Sequence, residues 1–348
     1  MTARRIAVVL FNLGGPDNLD AVEPFLFNLF SDPAILRLPA FVRGPLARFI
    51  ARRRAPITRA IYEHIGGRSP ILEETRAQAE ALGAALAQGE DETRVFIAMR
   101  YWHPRADETA REILAYAPAE IVLLPLYPQF STTTTASSLA EVEAALDAAG
   151  FAGRVRRICC WPTEPGFIAA ATQGIRNGLQ AAGKLGRARL LLSAHGLPER
   201  IVKAGDPYPG QVERTAAAIV AAFGEPGLDW TICYQSRVGP LKWIGPATEE
   251  EIRRGASEGL ALVVASIGFV SEHSETLVEL DIDYRAMALK AGAKAFIRVP
   301  TVSVHPSFVE GLAGLVRSAL AAPEGPGYCN RRSCPRGVPG CPNGPASP

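Results

Sequence analysis

Residues 5–12 read Arg-Ile-Ala-Val-Val-Leu-Phe-Asn and run directly into the turn Leu13-Gly14-Gly15-Pro16. An unbroken apolar run of this length is typical of a strand buried on both faces, as in parallel sheets covered by helices. Residues 193–198, Ser-Ala-His-Gly-Leu-Pro, follow a second apolar run in the same way. The chain is therefore expected to contain two related halves.

Short β-branched or leucine-rich runs alternate with helical periodicity along the whole chain. The predicted strands are 5–11, 93–99, 120–126, 154–160, 188–193, 230–234, 260–268 and 294–299. This alternation predicts an α/β fold with two doubly wound, Rossmann-like parallel-sheet halves around one cleft. The halves are expected at residues 1–160 and 161–322, followed by a cysteine-rich tail at 323–348. Because ligands bind beyond the carboxyl ends of parallel strands, the turns at 12–16 and 193–198 are expected to face that cleft.

Composition excludes several function classes. The 348 residues are 48% hydrophobic and 21% charged, and the formal net charge is only +2. No overall field favours nucleic acid as a partner. The apolar run at 6–11 is too short for a secretory signal, and no segment reaches the roughly 18–20 apolar residues of a membrane span. We expect a cytoplasmic protein, and the sequence leaves its oligomeric state undetermined.

Residues 35–54 mix large apolar side chains with six arginines. One interpretation is a helical pair packed on the sheet. The other is an exposed apolar lip with a basic rim, which would suit a flat hydrophobic ligand or peripheral contact with the inner face of a membrane.

Two segments at predicted strand ends carry candidate chemistry. His195 lies in the turn after a very apolar strand, where it could bind a divalent metal, take a proton, or simply bond to the backbone. After the strand at 260–268, carboxylates at 272, 275, 279 and 283 follow helical spacing and predict one acidic stripe beside His273. The alternative is a solvated acidic face. Together these nitrogen and oxygen ligands would suit Fe(II), Mn(II), Zn(II) or Co(II) held loosely.

Motifs spread through residues 6–320 make the chain similar to the ferrochelatase family. They are Asn12-Leu13-Gly14-Gly15-Pro16, Ile65-Gly66-Gly67-Arg68-Ser69-Pro70, Arg100-Tyr101, Pro128-Gln129-Phe130-Ser131, Ser193-Ala194-His195-Gly196-Leu197-Pro198, Gly205-Asp206-Pro207-Tyr208, Gln235-Ser236-Arg237-Val238-Gly239-Pro240 and Glu272-His273-Ser274-Glu275-Thr276. The resemblance implies a lyase that inserts Fe(II), its metal substrate, into protoporphyrin IX to give protohaem, the last step of haem biosynthesis.

The same resemblance implies roles for individual residues. His195 and Glu275 would form the metal-site pair, supported by His273 and Glu279. Positions around the porphyrin would be Leu13, Arg53, Tyr62, Arg100, Tyr101, Trp243 and Phe269. We expect the pocket to bend the macrocycle, His195 to accept a pyrrole proton, and the acidic stripe to carry metal or protons.

The tail holds Cys329, Cys334 and Cys341 among prolines and glycines that exclude regular structure. Four cysteines suit zinc or an iron–sulfur cluster. Some ferrochelatases carry a [2Fe-2S] cluster on C-terminal cysteines and one from the body. The resemblance therefore implies such a cluster here, with Cys159 or Cys160 as the fourth ligand.

Two other functions fit part of the pattern. A chelatase for coproporphyrin or another tetrapyrrole would use the same metal chemistry, although the apolar lip favours a more hydrophobic ring. A bilobal metal- or haem-binding protein without catalysis would share the doubly wound halves. The histidine placed opposite the acidic stripe favours an enzyme.

Overall fold

The computed structural model of the protein describes residues 4–237, 239, 241–323 and 337–342. The chain divides into two compact units. Unit 1 contains residues 1–160 and 312–348, and unit 2 contains residues 161–311.

Each unit contains one four-stranded sheet. In unit 1 the elements are β1 (Arg5–Asn12), α1 (Val22–Ser31), α2 (Ala40–Glu63), α3 (Ile71–Leu86), β2 (Glu92–Met99), α4 (Ala106–Tyr116), β3 (Glu120–Pro125), α5 (Thr135–Ala148) and β4 (Arg154–Arg157). Unit 2 contains α6 (Pro165–Gly183), β5 (Ala188–His195), α7 (Glu199–Lys203), α8 (Tyr208–Phe223), β6 (Trp230–Gln235), α9 (Thr248–Ser257), β7 (Ala261–Ser266), a π-helix (Glu275–Asp283), α10 (Tyr284–Lys290) and β8 (Ala295–Val299). The last helix, α11 (Pro306–Ala321), begins in unit 2 and ends in unit 1.

The two sheets have the same topology. Their strand orders are β2-β1-β3-β4 and β6-β5-β7-β8, and every pairing is parallel. All eight predicted strands are confirmed, as is the doubly wound fold. In each sheet the chain moves from the first strand to one side and then to the other. The carboxyl ends of β1 and β3, and of β5 and β7, therefore flank the switch point where such sheets bind ligands.

Both faces of the second sheet are covered by helices. On one face, Leu191 and Leu262 pack in a buried cluster with Ile252 of α9 and Leu280 of the π-helix. On the other face α6 approaches so closely that a Cβ at Gly178 would lie 3.0 Å from Val263. This double burial explains why the strands are almost continuously apolar.

The C-terminal part of α11 differs from the predicted organisation. The sequence assigns residues up to 322 to the second half, whereas the structure groups residues from 312 onwards with unit 1. Two contacts explain the grouping. Arg317 donates to the carbonyl of Ala85 at 2.9 Å, and Arg156 donates to that of Ala322 at 2.6 Å.

The apolar and basic segment at 35–54 falls largely in α2. One face of this helix packs on α1 through Ala51 and Ala55. The other face leaves Phe41, Phe49 and Ile57 exposed by 81%, 61% and 69%. The segment therefore contains one helix packed on α1 and not a helical pair packed on the sheet, and its exposed side chains agree with an apolar lip, whose contact with a ligand or a membrane stays a prediction. No helix in the described part of the chain is long and apolar enough to cross a membrane.

Candidate metal-handling site

His195 is the last residue of β5, so the strand delivers its ring to the carboxyl edge of the sheet. Nδ1 lies 2.7 Å from the carbonyl of Gly196 and donates to it. This contact orients the ring and leaves Nε2 for other partners. Gly196 must be small, because a Cβ there would meet the Gln235 carbonyl at 2.9 Å and the Trp243 ring at 3.2 Å.

Glu275, the first residue of the π-helix, faces two histidines. Its Oε1 lies 3.6 Å from Nε2 of His195, and its Oε2 lies 3.8 Å from Nε2 of His273. Burial alone would raise the pKa of the Glu275 carboxyl, but the two imidazoles outweigh it and hold that pKa well below its usual range. Burial lowers the pKa of His195, but Glu275 outweighs burial and raises it to about 9. The free pair is therefore an imidazolium beside a carboxylate.

His273 is more deeply buried than His195. Its residue surface is 5% exposed, and its Nε2 has no hydrogen-bond partner among the described residues. The ring of Phe269 lies 4.2 Å from the His273 ring and 6.1 Å from the His195 ring, nearly perpendicular to the latter. Phe269 therefore spaces the two imidazoles on either side of Glu275.

Ser236 joins Glu275 to Glu279. Its hydroxyl lies 3.0 Å from Oε2 of Glu275 and 2.5 Å from Oε2 of Glu279, while its backbone N–H donates to Oε1 of Glu279 at 2.9 Å. Ser236 adopts φ +60°, which is uncommon for a residue with a side chain. In this strained conformation the hydroxyl and the backbone N–H of Ser236 both reach the carboxylates of Glu275 and Glu279.

Glu279 differs from Glu275 in its protonation. Burial and the negative charge of Glu275 raise the pKa of the Glu279 carboxyl, against hydrogen bonds from Ser236 and Tyr284. Two neighbouring carboxyls with pKa values displaced in opposite directions are suited to different tasks. Glu275 is suited to hold a cation, and Glu279 to exchange a proton.

The predicted acidic stripe is only partly present. The sequence predicts an α-helix from 272 with all four carboxylates on one face, but the segment is a π-helix that starts at Glu275. Glu272 lies before it and pairs with Arg298 at 2.8 Å. Asp283 is exposed. Of the four carboxylates, Glu275 and Glu279 are the two that share Ser236.

The sequence pattern predicts no role for Ser236 or for the hydroxyl of Tyr284. The Tyr284 hydroxyl donates to Oε1 of Glu279 at 2.8 Å, and its ring packs in the core. The position of Ser236 could have indicated its role, because this residue directly follows β6, at the edge of the sheet where ligands bind. For Tyr284 the spacing indicated only a core position.

Four of the five predicted porphyrin residues of unit 1 lie together, whereas Arg53 is exposed on α2. Leu13, Tyr62 and Tyr101 pack in the same apolar cluster. The Tyr101 hydroxyl donates to Asp32 at 2.6 Å, and Arg100 pairs with the same carboxylate at 2.8 Å.

The two predicted arginines of unit 1 differ in their availability. Arg100 also pairs with Glu141 at 2.7 Å, and 14% of its side-chain surface is exposed. It lines a cavity of about 620 Å³ that also includes Asp32 and Glu141. Arg53 on α2 is exposed. As the structure stands, Arg53 is the more accessible guanidinium for an anionic substrate group.

The cysteines predicted for a cluster are only partly within the described residues. Cys329 and Cys334 lie outside them. Cys341 packs against the apolar cluster that contains Cys159 and Cys160, whose Sγ atoms are 3.6 Å apart. Among the described residues no group of three or more His, Cys, Asp or Glu side chains could hold a metal ion.

The chain is similar to known proteins over nearly its full length. A family model described as Ferrochelatase matches residues 5–320. A ferrochelatase of Phenylobacterium zucineum (strain HLK1) is 54% identical over 331 residues, covering 93% of this chain and 95% of the relative. One of Caulobacter vibrioides (strain NA1000 / CB15N) is 53% identical over 324 residues, 92% of each chain. One of Hyphomonas neptunium (strain ATCC 15444) is 52% identical over 346 residues, 97% of this chain and 95% of the relative.

Solved structures with a similar fold are much more distant in sequence. The sirohydrochlorin chelatase SirB from Bacillus subtilis subspecies spizizenii, in complex with cobalt, has a TM-score of 0.54 at 11% identity, covering 92% of this chain and 97% of that one. SirB from Bacillus subtilis with Fe3+ has a TM-score of 0.52 at 12% identity, covering 91% and 96%. At this level of identity the likeness concerns the fold alone.

Proposed function

The chain belongs to the ferrochelatase family, and from that premise we infer that it inserts Fe(II) into protoporphyrin IX to give protohaem, the last step of haem biosynthesis. It is proposed to act as a lyase that forms nitrogen–metal bonds. The observation that supports this function best is the pair His195 and Glu275, whose Nε2 and Oε1 atoms face each other at 3.6 Å. The pair retains 39% and 26% side-chain exposure, so a partly hydrated metal ion can approach it.

The charges of the pair suggest an order of events. Before metal arrives, Glu275 keeps His195 protonated, because it raises the pKa of the imidazole against burial to about 9. Fe(II) that binds the Glu275 carboxylate would cancel this attraction and release the imidazole proton. Nε2 of His195 could then accept the two pyrrole protons one after the other, and it would have to release the first before it accepts the second. Glu279, whose pKa burial and Glu275 raise, is placed to take protons onward.

We propose seven porphyrin contacts. In unit 1 they are Leu13, Arg53, Tyr62, Arg100 and Tyr101, and in unit 2 they are Trp243 and Phe269. For the propionates we favour Arg53, since Arg100 is already paired with Asp32 and Glu141. Phe269 and Trp243 lie beside His195 and Gly196, where apolar walls would press on a macrocycle.

Anaerobic turnover tests the function directly. Fe(II) would be supplied with protoporphyrin and, separately, with coproporphyrin, and the shift of the Soret band followed. Preferred turnover of protoporphyrin is the expected result. Preferred turnover of coproporphyrin would retain the metal chemistry and change the substrate. Absence of turnover with both would exclude this function and leave a binding protein.

A [2Fe-2S] cluster is proposed on Cys329, Cys334, Cys341 and either Cys159 or Cys160. The support among the described residues is that Cys341 packs against the apolar cluster that contains the buried pair Cys159 and Cys160. Bound there, the cluster would supply a one-electron centre. Protein purified without oxygen should absorb visible light, and the band should disappear in Cys341→Ser but persist in Cys233→Ala, a buried cysteine of unit 2. A colourless wild type would contradict the cluster.

Peripheral membrane contact is proposed for residues 35–54 of a cytoplasmic enzyme. The support is the exposed pair Phe41 and Phe49, flanked by arginines that would attract anionic lipid. Vesicles containing anionic lipid should sediment the wild type, and Phe41→Ser with Phe49→Ser should weaken sedimentation. Leu185→Ser, which removes an exposed leucine of unit 2, should not. Equal sedimentation of all three proteins would contradict the contact.

A further inference from the structure

The π-helix that carries Glu275 and Glu279 requires support from outside itself. It runs for nine residues, and beyond its end the N–H of Tyr284 still bonds to the carbonyl five residues back, at Glu279. π-helical geometry is rare and occurs mostly as single turns at functional sites. A segment of this length is expected to relax to the α-helical register unless side chains outside the helix hold it.

One largely buried arginine bonds to the turn before the π-helix and to the helix near its end. Arg298 on β8 donates from Nη1 to Oε1 of Glu272 at 2.8 Å and from Nε to Oδ2 of Asp281 at 3.1 Å. Only 11% of the Arg298 side chain is exposed, compared with 15% for Glu272 and 31% for Asp281. These are charge-assisted bonds that water screens little. Because the donors are fixed in one plane, the guanidinium sets the separation between the two carboxylates.

The contact at Glu272 extends into the turn that carries His273. The second oxygen of Glu272 accepts from the Thr276 hydroxyl at 2.5 Å, and that hydroxyl oxygen accepts from the N–H of His273 at 3.0 Å. Oε1 of Glu272 also accepts from the N–H of Thr301 at 3.0 Å. The turn before Glu275 is therefore tied to β8 and the loop after it.

We propose that Arg298 is a positioning residue for metallation, which holds the π-helical register so that Glu275 and Glu279 both reach Ser236 and Glu275 faces His195. This inference rests on the function proposed above. An α-helical turn contains fewer residues than a π-helical turn, so relaxation would rotate Glu279 relative to Glu275 and break the shared contact with Ser236. Arg298 itself contacts neither carboxylate among the hydrogen bonds and ion pairs of the described residues, so its effect would pass through the helix.

The chain offers a closely matched control. Arg189, near the start of β5, is 10% exposed and also bonds two carboxylates, Asp229 at 2.8 Å and Glu258 at 2.7 Å. It is six positions from His195 on an extended strand, about 20 Å away. Arg298→Met and Arg189→Met thus remove equivalent ion-pair networks, one tied to the π-helix and one remote from it.

Both variants are compared with the wild type by thermal unfolding, by steady-state metallation, and by the d–d absorption of Co(II) added to the porphyrin-free protein. Both should lower Tm by similar amounts. Only Arg298→Met should lower kcat, by about 100-fold for a displaced catalytic group, with KM for porphyrin within about twofold of the wild type. Its Co(II) spectrum should also change.

Two outcomes would overturn the proposal. One is a wild-type kcat in Arg298→Met, and the other is an equal loss of kcat in Arg189→Met. If Arg298→Met does not fold, Asp281→Asn is used in its place. This variant keeps the contact between Arg298 and Glu272 and removes the negative charge at position 281. An unchanged kcat in Asp281→Asn would also contradict the proposal. If the wild type shows no turnover, the proposed function is wrong. The Co(II) spectra of the two variants then show whether Arg298 positions His195 and Glu275.

Discussion

Nε2 of His195 lies 3.6 Å from Oε1 of Glu275, and the opposite ring nitrogen of this histidine is bound to its own neighbouring backbone carbonyl. The ring is thus oriented by the backbone, independently of any metal. Only Nε2 remains for the metal or for a proton. Nε2 is therefore the nitrogen atom expected to take part in metallation, and removing the imidazole tests its role directly.

Replacing His195 with Ala should abolish metallation and leave porphyrin binding intact. A positioned proton acceptor typically contributes about 10²- to 10⁴-fold in rate, so kcat should fall at least by the lower figure. Porphyrin binding, followed by quenching of intrinsic fluorescence, should remain measurable because apolar contacts dominate it. Turnover near the wild-type rate would exclude His195 as the proton acceptor.

Metal affinity should rise with pH. Burial lowers the pKa of His195, but Glu275 outweighs it and raises that pKa to about 9, so below that pH a proton occupies Nε2 and competes with the metal. Affinity for Zn(II) in the porphyrin-free protein should increase about tenfold per pH unit below 9 and level off above it. About one proton should be released per Zn(II) at neutral pH, measurable by calorimetry in two buffers. A pH-independent affinity between 6 and 8 would contradict the imidazolium state.

The fold was accessible from sequence because its signal is local and repeated. Buried parallel strands need continuous apolar runs, and both β1 and β5 have them, each ending in a glycine turn. Helical periodicity between the runs required a parallel arrangement. The residue at which the second unit ends was harder to predict from the sequence. The anchors of α11, from Arg317 to Ala85 and from Arg156 to Ala322, join residues far apart in the chain.

Part of the candidate site was also accessible, since His195 and Glu275 both occur near the carboxyl ends of apolar runs. The π-helix was not, because carboxylates three or four apart fit an α-helix equally well. Nor could spacing indicate that Glu272 turns away to Arg298. The positive φ of Ser236 is invisible in a sequence, because it depends on contacts with Glu275 and Glu279.

Removing the Ser236 hydroxyl should slow metallation. The hydroxyl lies within hydrogen-bond distance of both Glu275 and Glu279, and a hydrogen bond to a charged group contributes about 1.5–3 kcal/mol. Ser236→Ala should therefore lower kcat by about 10- to 100-fold. Ser236→Gly lacks the same hydroxyl but adopts φ +60° without strain, so it should unfold at a higher temperature than Ser236→Ala and be equally slow.

Ser257→Ala is the control for this pair of variants. The Ser257 hydroxyl also donates to a protein oxygen, the carbonyl of Arg254, but it is exposed and bonds neither Glu275 nor Glu279. It should retain full activity. Recovery of kcat in Ser236→Gly would show that backbone strain, and not the hydroxyl, limits the reaction.

Protons leaving Glu279 should pass to Tyr284 and Glu249, and not along the π-helix to Asp283. The Tyr284 hydroxyl donates to Glu279 at 2.8 Å, and burial and the carboxylates of Glu279 and Glu249 raise its pKa. Tyr284 packs against α9, the helix that carries Glu249, in one buried cluster. Oε2 of Glu249 is buried and has no hydrogen-bond partner among the described residues.

Tyr284→Phe and Glu249→Gln should each lower kcat by about tenfold, with a larger solvent isotope effect and unchanged KM for porphyrin. Asp283→Asn, which neutralises the exposed carboxylate at the end of the π-helix, should leave kcat unchanged. If Asp283→Asn is slow and the other two variants are not, the protons follow the helix, and the hydroxyl of Tyr284 only stabilises the fold.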